Sequence, residues 1–177
     1  LSLCVDSFVP DRAFNTLENL PSPIEGLYTP GAYLVVSGAT SDWFTKLMAE
    51  SERQQAESSA VSVFKILDEK SKDIPPGSEG LLAISLLGGR GYPSDPDIRG
   101  MWIGHSLMHR KEHFYKSMLE SFAYEYAFYL KVMKNNYPGI DFSDVMVMGG
   151  GSRSDLYNQV KSDVLGLTYW RLSRDDF

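Results

Sequence analysis

Residues 145 to 165 constrain the fold more than any other part of the chain. Four apolar residues, VMVM, run into the glycines Gly149 to Gly151, and a helical pattern starts near Asp155 and stops at Gly166. This order predicts a strand, a turn and a helix, and therefore the α/β class. Glycines let another group approach the main chain, and the helix start behind them offers unpaired N–H groups. The segment suits a nucleotide, but a close-packed structural turn would also explain it.

The remaining pattern predicts further strands and helices around this unit. We expect strands at residues 1 to 9, 32 to 37, 81 to 87, 101 to 103, 145 to 148 and 167 to 172, with the run at 81 to 87 buried on both faces. We expect a helix capped by Thr40 or Ser41, with Trp43, Phe44, Leu47 and Met48 on its apolar side, and further helices at 59 to 70 and 110 to 134. Residues 10 to 31, 73 to 80 and 88 to 100 have the composition of loops, and residues 50 to 59 form a polar stretch.

A second small-residue turn, GATSD, resembles the first in its surroundings. Gly38 follows the apolar run at 32 to 37, and Asp42 lies at the start of the next predicted helix. Two such turns could form the walls of one crevice at the carboxyl ends of the strands, where open α/β sheets bind ligands. Alternatively, Gly38 only permits a tight turn, and Asp42 only complements the helix dipole.

Composition excludes several classes of function. The chain has 177 residues, enough for one domain with a sizeable core, and its formal net charge is −6. We therefore expect neither a nucleic acid nor an anionic membrane as partner, since both attract basic surfaces. No apolar run approaches the ~20 residues of a membrane span. The single cysteine, Cys4, permits no internal disulfide and favours a reducing, cytoplasmic location.

Other motifs carry weaker signals. His105, His109 and His113 are spaced by four, but glycine and strand-like residues precede them. We therefore favour capping and core hydrogen bonds over a metal site and assign no metal ligands. The chain lacks both the dinucleotide fingerprint G-x-G-x-x-G and the P-loop G-K-[ST], which argues against a Rossmann oxidoreductase.

The loop at 88 to 100 contains two arginines among prolines and aspartates. Arg90 and Arg99 could bind an anion, or they could hold the loop by pairing with Asp95 or Asp97, and we favour the pairing.

Four segments in order resemble the C-terminal domain of the FGGY family of carbohydrate kinases, over roughly residues 27 to 175. GATSDW at 38 to 43 is similar to the family's G-A-S-x-Q/D-W turn. GRGYPSDPDIRG at 89 to 100 resembles R-x-P-x-x-x-P-x-x-R-G, with the first proline displaced by one. FYKSMLESFAY at 114 to 124 resembles Y-R-A-x-L-E-G-x-A-Y, with Ser121 in place of the glycine. GGGSRSD at 149 to 155, with Gln159, Asp163 and Gly166, resembles G-G-G-A-R-S-x-x-x-x-Q-x-x-A-D-x-x-G.

The resemblance implies a ribonuclease H-like, actin-like ATPase fold, with a mixed sheet flanked by helices. It also implies ATP with Mg²⁺ as cofactors and a sugar or polyol as substrate. Carried over by position, Gly38 and Asp42 would lie near the nucleotide, and Gly150, Gly151 and Asp155 near adenosine. The family's catalytic aspartate lies upstream of the matched region, so the catalytic residue stays unassigned.

Residues 1 to 177 are therefore expected to form a single nucleotide-binding domain, a piece of a longer two-domain kinase that could form a homo-oligomer. The isolated chain would be inactive. The family has a glycine–threonine phosphate turn near residues 3 to 6, where this chain has Cys4, Val5 and Asp6, so either the alignment is shifted there or the turn is lost. This departure motivates an alternative, a non-catalytic binding or scaffold module with the same fold.

Overall fold

The computed structural model describes residues 1 to 172 and contains both helices and strands. In this part of the chain the strands are β1 (Glu18–Pro21), β2 (Tyr28–Gly31), β3 (Leu82–Ile84), β4 (Met101–Ile103), β5 (Asp144–Val147) and β6 (Thr168–Arg171). The helices are α1 (Ser37–Met48), α2 (Glu50–Ser59), α3 (Val63–Ser71), α4 (Lys111–Asn136) and α5 (Asp155–Leu165). Short 3-10 turns occur at Ser78–Gly80 and Gly150–Arg153.

The strands pair in both directions. β1 pairs with β2 and β3 with β4 in antiparallel fashion, whereas β5 and β6 are parallel, with Asp144 opposite Thr168. Helix α5 connects the two parallel strands, as a parallel pair requires. The α/β class and the mixture of pairings are confirmed. Within residues 1 to 172, however, the strands form three two-stranded sheets and not one continuous sheet.

Helix α4 is the centre of the packing. Its apolar residues recur every four positions, as predicted, and Met118, Phe122 and Leu130 are buried. At its start, the Arg110 N–H donates to Nδ1 of the buried His113 over 3.1 Å. Three buried clusters lie along the helix: its C-terminal half packs against the N-terminal segment, its first half against α1 and α3, and its middle against α5. No described helix is both long enough and apolar enough to cross a membrane.

Several predicted elements at the N-terminal end are wrong. The stretch at 10 to 31 contains the hairpin β1–β2, and residues 32 to 37 are not a strand. Residues 1 to 9 form no named strand, although Ser2 and Val5 form single bridges to β2. Strand β2 therefore lies between β1 and residues 2 to 5, so its pairing positions are already occupied. Val35 and Val36 instead form the turn that enters α1.

Two further predictions need correction, and one polar stretch with no predicted element forms a helix. Residues 50 to 59 are helical because glutamate, glutamine and arginine favour a helix even without an apolar stripe. Helix α3 starts at Val63 and not at residue 59, with the Ser62 hydroxyl accepting the Phe64 N–H over 3.3 Å. Strand β3 is not buried on both faces, because the side chains of Leu82 and Ile84 are about half exposed.

Candidate functional site

The glycine turn at 149 to 151 has a defined conformation. Gly149 has φ +81°, a value that glycine adopts readily and other residues rarely do. The hydroxyl of the buried Ser152 donates to the Gly149 carbonyl over 2.7 Å, and its N–H donates to the same oxygen over 3.1 Å. Strand β5, the turn and α5 follow one another as predicted.

Helix α5 begins with a side-chain cap. The Ser154 hydroxyl accepts the Tyr157 N–H over 2.9 Å, which satisfies one of the unpaired donors of the first turn. Asp155 is the first helical residue, and its side chain is 90% exposed. The helix ends at Gly166, which has φ +65°. The Asp155 carboxylate, at the N-terminal end of the helix, is stabilised by the helix dipole and is exposed to solvent.

The surface over the glycines is open. A Cβ at Gly149 or Gly150 would meet no atom within 4 Å, and one at Gly151 would meet only the Tyr157 ring at 3.7 Å. By contrast, a Cβ at Gly88 would lie 2.7 Å from Cγ1 of Val36, so that glycine is required for packing. Gly150 and Gly151 are not needed to fit a neighbouring part of the chain. Their bare, exposed backbone favours the ligand-binding interpretation over a close-packed structural turn.

The second turn differs from its prediction. Gly38 lies within the first turn of α1, since the helix begins at Ser37 and Val36 is the N-cap without a side-chain hydrogen bond. Thr40 and Ser41 are therefore not caps. The Thr40 N–H donates to the Val36 carbonyl over 2.7 Å, and this threonine is buried.

Gly38 and Asp42 are both exposed on α1. A Cβ at Gly38 would meet nothing within 4 Å, and the Asp42 carboxylate pairs with Lys46 at 2.6 Å. The predicted apolar side of α1 is only partly buried: Phe44 is fully buried, but Leu47 is 64% exposed. The main-chain surface at Gly38 is thus accessible, as it is at the glycine turn.

Helices α1 and α5 pack on the same buried cluster. Phe44 of α1 belongs to the cluster formed with Met118 and Phe122 of α4, and Leu156 and Tyr157 of α5 pack against that cluster. Phe44 comes six residues after Gly38, and Tyr157 six residues after Gly151. One cluster therefore receives an aromatic side chain from the helix that carries Gly38 and another from the helix that follows Gly151.

Polar residues that the sequence did not single out surround the start of α5. The Tyr115 hydroxyl, from α4, donates to Asp68 of α3 over 2.9 Å. Burial raises the pKa of the Asp68 carboxyl, while donation from Ser154 and Tyr115 opposes that rise. Arg171, the last residue of β6, pairs with Asp155 at 3.1 Å. A charged residue at the carboxyl end of a parallel strand was a usable sequence signal for Arg171, whereas nothing in the pattern marked Asp68.

A cleft of about 520 Å³ runs along α5 and β6, beside the glycine turn. Its lining includes Asp155 and Arg171, together with the polar side chains of Gln159, Ser162 and Thr168. Below it, burial lowers the pKa of Lys161 to about 8, and its ammonium group lies 4.1 Å from the centre of the Tyr157 ring.

Two of the three histidines, His109 and His113, make hydrogen bonds through their rings. Nδ1 of His109 accepts the Ser106 N–H over 2.9 Å, and His113 bonds the start of α4. Among residues 1 to 172, no three His, Cys, Asp or Glu side chains lie close enough together to hold a metal ion.

The predicted pairing of the two loop arginines with Asp95 or Asp97 is wrong. The guanidinium of Arg90 pairs with Glu125 of α4 at 2.9 Å, because the loop lies against that helix. Only the backbones of Arg90 and Asp95 are bonded to each other. Arg99 donates to the carbonyls of Pro96 and Ile98 within its own loop.

Comparison with known proteins gives a consistent family. Residues 13–175 match the C-terminal domain of the FGGY family of carbohydrate kinases. The chain is 33% identical to an uncharacterized sugar kinase of Escherichia coli, over 72% of this chain and 25% of that protein. It is 28% identical to the gluconokinase of Bacillus subtilis, over 72% of this chain and 25% of the relative. It is 26% identical to the xylulose kinase of the same organism, over 85% of this chain and 28% of that protein.

Solved structures agree on the fold. The xylulose kinase of Rhodospirillum rubrum superposes with a TM-score of 0.77 at 23% identity, over 97% of this chain and 32% of that one. Glycerol kinase of Plasmodium falciparum, solved with ADP, gives a TM-score of 0.70 at 12% identity, over 94% of this chain and 32% of that one. These similarities confirm the ribonuclease H-like, actin-like fold. The chain spans about a quarter to a third of the length of these proteins. It belongs to the FGGY family of carbohydrate kinases and corresponds to the family's C-terminal domain.

Proposed function

We propose that the protein containing this chain is an ATP-dependent carbohydrate kinase, and that the chain supplies its nucleotide-binding half. The observation that carries the proposal is the open backbone surface of Gly150 and Gly151 at the start of α5. The relatives named above are kinases of gluconate and xylulose, which supports a sugar or polyol as the phosphoryl acceptor.

We assign the nucleotide contacts residue by residue. The bare backbone of Gly150 and Gly151 offers a flat surface for adenosine, and the exposed carboxylate of Asp155 accepts a hydrogen bond from ribose or the adenine amino group. We also assign Gly38 and Asp42, which are exposed on α1, to contacts near the nucleotide. These groups fit the ligand because each presents backbone or a hydrogen-bond acceptor to solvent.

Phosphoryl transfer depends mainly on positioning and on stabilising negative charge. When bound, Mg²⁺ neutralises charge on the phosphates of ATP, and it is commonly held through those phosphates and one or two carboxylates. The residues of this chain bind and orient the nucleotide. The aspartate that accepts the proton of the sugar hydroxyl comes from outside the matched segments.

Calorimetry of ADP–Mg²⁺ binding to the full-length protein tests the nucleotide assignment. Gly151→Val is the informative variant: its Cβ would lie 3.7 Å from Tyr157, an ordinary contact, so the protein should still fold. We expect at least tenfold weaker binding, because the branched side chain occupies the adenosine surface. Gly139→Val, at an equally open position in the loop after α4, is the matched control. No binding by the wild type, or equal binding by Gly151→Val, would contradict the proposal.

A second function, a non-catalytic binding module, is favoured by one observation. Near residues 3 to 6, where the resemblance would put the family's phosphate turn, the chain has Cys4, Val5 and Asp6, and Val5 is buried and bridged to Tyr28 of β2. ATP consumption by the full-length protein with a panel of ketoses, aldonates and polyols separates the two functions. Robust turnover with any of them removes the non-catalytic interpretation. We also propose a cytoplasmic location, where ATP is abundant and the exposed thiol of Cys4 stays reduced.

A further inference from the structure

Two side chains outside the glycine motif hold the glycine turn. The carbonyl of Ser152 accepts from Nδ2 of Asn158 over 2.7 Å and from Nη1 of Arg171 over 3.4 Å. The same nitrogen of Arg171 lies 3.1 Å from Oδ1 of Asp155. One arginine at the end of β6 therefore joins the turn to the first residue of α5.

The two contacts of Arg171 are unequal in importance. Asn158, from α5 itself, holds the Ser152 carbonyl at the shorter distance, so the turn keeps its shape without the arginine. The Asp155 side chain is 90% exposed, and the ion pair with Arg171 is what restricts it. An exposed carboxylate otherwise samples several rotamers, and a planar guanidinium limits them through directed hydrogen bonds.

We infer that Arg171 is a positioning residue for nucleotide recognition, which acts by holding the Asp155 carboxylate where it accepts a hydrogen bond from ADP or ATP. This inference rests on the proposed function. It adds a residue from β6 that lies 16 positions after Asp155 and outside the glycine motif. The arginine side chain is 50% exposed, so it can be exchanged without opening the core.

A double-mutant cycle on the full-length protein tests whether Arg171 acts through Asp155. The variants are Arg171→Met, Asp155→Asn and the double substitution, and ADP–Mg²⁺ binding is measured by calorimetry. We expect each single variant to bind three- to tenfold more weakly, and the double variant no more weakly than the weaker single one. Arg53→Met is the matched control, because Arg53 is 40% exposed and pairs with Glu50 on α2. It should bind within twofold of the wild type.

Analogues separate positioning from a merely structural role. Inosine diphosphate lacks the 6-amino group, and the 2′- and 3′-deoxy forms of ADP each lack one ribose hydroxyl. We expect the wild type to discriminate against one of these analogues, and Arg171→Met to lose most of that discrimination. Equal weakening for ADP and all analogues would indicate a structural role and overturn the inference.

Two further outcomes complete the test. Additive effects in the double variant would show that Arg171 affects nucleotide binding independently of Asp155. That result would overturn the inference that Arg171 acts by holding the Asp155 carboxylate. If the wild type binds ADP and Arg171→Met binds it with the same affinity, the inference is overturned and the proposed function stands. Failure of the wild type to bind ADP overturns the proposed function itself, so the two failures are distinguishable.

Discussion

Replacing Glu52 with glutamine should destabilise the protein in a pH-dependent manner. The Glu52 side chain is fully buried between α2, α3 and α4, and its carboxylate accepts from Lys70 at 2.5 Å and from Lys111 at 2.7 Å. Burial alone would raise the pKa of this carboxyl, but hydrogen bonds from Lys111, Lys70 and Ser51 outweigh it and lower the pKa from 4.5 to about 2. Glutamine keeps the shape and removes the charge.

The magnitude follows from the two pKa values. Their difference, about 2.5, is worth about 3 kcal/mol at 1.36 kcal/mol per pKa unit. The side chains of Lys70 and Lys111 are 42% and 30% exposed, so water screens part of the attraction. We therefore expect Glu52→Gln to lower the free energy of unfolding by about 2 kcal/mol at pH 7.

The pH dependence has a definite sign. Above pH 4.5 the carboxylate is ionised in both the folded and the unfolded state, and its contribution to stability is fully present. As the pH falls from 4.5 towards 2, the unfolded chain takes up a proton that the folded protein does not, so the wild type loses this contribution. The difference between the wild type and Glu52→Gln should therefore shrink over that interval.

Urea unfolding at a series of pH values, followed by tryptophan fluorescence, measures both effects. Glu57→Gln is the control, since Glu57 is exposed on the same helix and its loss should change stability by less than about 0.5 kcal/mol. If Glu52→Gln and Glu57→Gln were equally stable at pH 7, or if the effect of Glu52→Gln did not vary with pH, the reasoning would be refuted.

Two further substitutions test contacts that helix α4 makes with neighbouring segments. Tyr115→Phe removes the hydroxyl that donates to the half-buried Asp68 over 2.9 Å. The free energy of unfolding should therefore fall by about 1 to 2 kcal/mol in the same urea assay. No change would show that this hydrogen bond does not stabilise the protein. Arg90→Lys should lower the free energy of unfolding by about 1 kcal/mol, because lysine cannot reproduce the planar contact with Glu125. Arg99→Lys, in the exposed part of the same loop, should lower it by less than about 0.5 kcal/mol. Equal thermal midpoints for the two variants would contradict this.

The elements that could be predicted from the sequence are those with a strong local signal. Helix α4 has an apolar residue every four positions from Phe114 to Leu130, and α5 is bounded by Ser154 and Gly166, residues that cap helices by themselves. The four motifs identified the family because they preserve chemistry at fixed spacing. The candidate residues Gly38, Asp42, Gly150, Gly151 and Asp155 came from the same motifs, and their roles remain predictions.

The main wrong prediction concerns an apolar run whose pairing depends on distant parts of the chain. Residues 32 to 37 read as a strand, but β2 pairs on one side with β1 and on the other with residues 2 to 5. Val35 and Val36 then fill the space above Gly91 and Gly88, a contact between segments more than 50 residues apart. No local pattern contains that information.

The sequence by itself determined the family, the α/β class, the β5–α5 unit and its bare glycines, because caps, periodicity and missing Cβ atoms act over a few neighbouring residues. Only the tertiary structure decided which charges meet: Arg90 with Glu125, Glu52 with two lysines, and Arg171 with Asp155. Those pairs depend on how separate elements pack around α4. A charged residue in the sequence does not specify its partner, because the partner is set by which opposite charge this packing brings close to it.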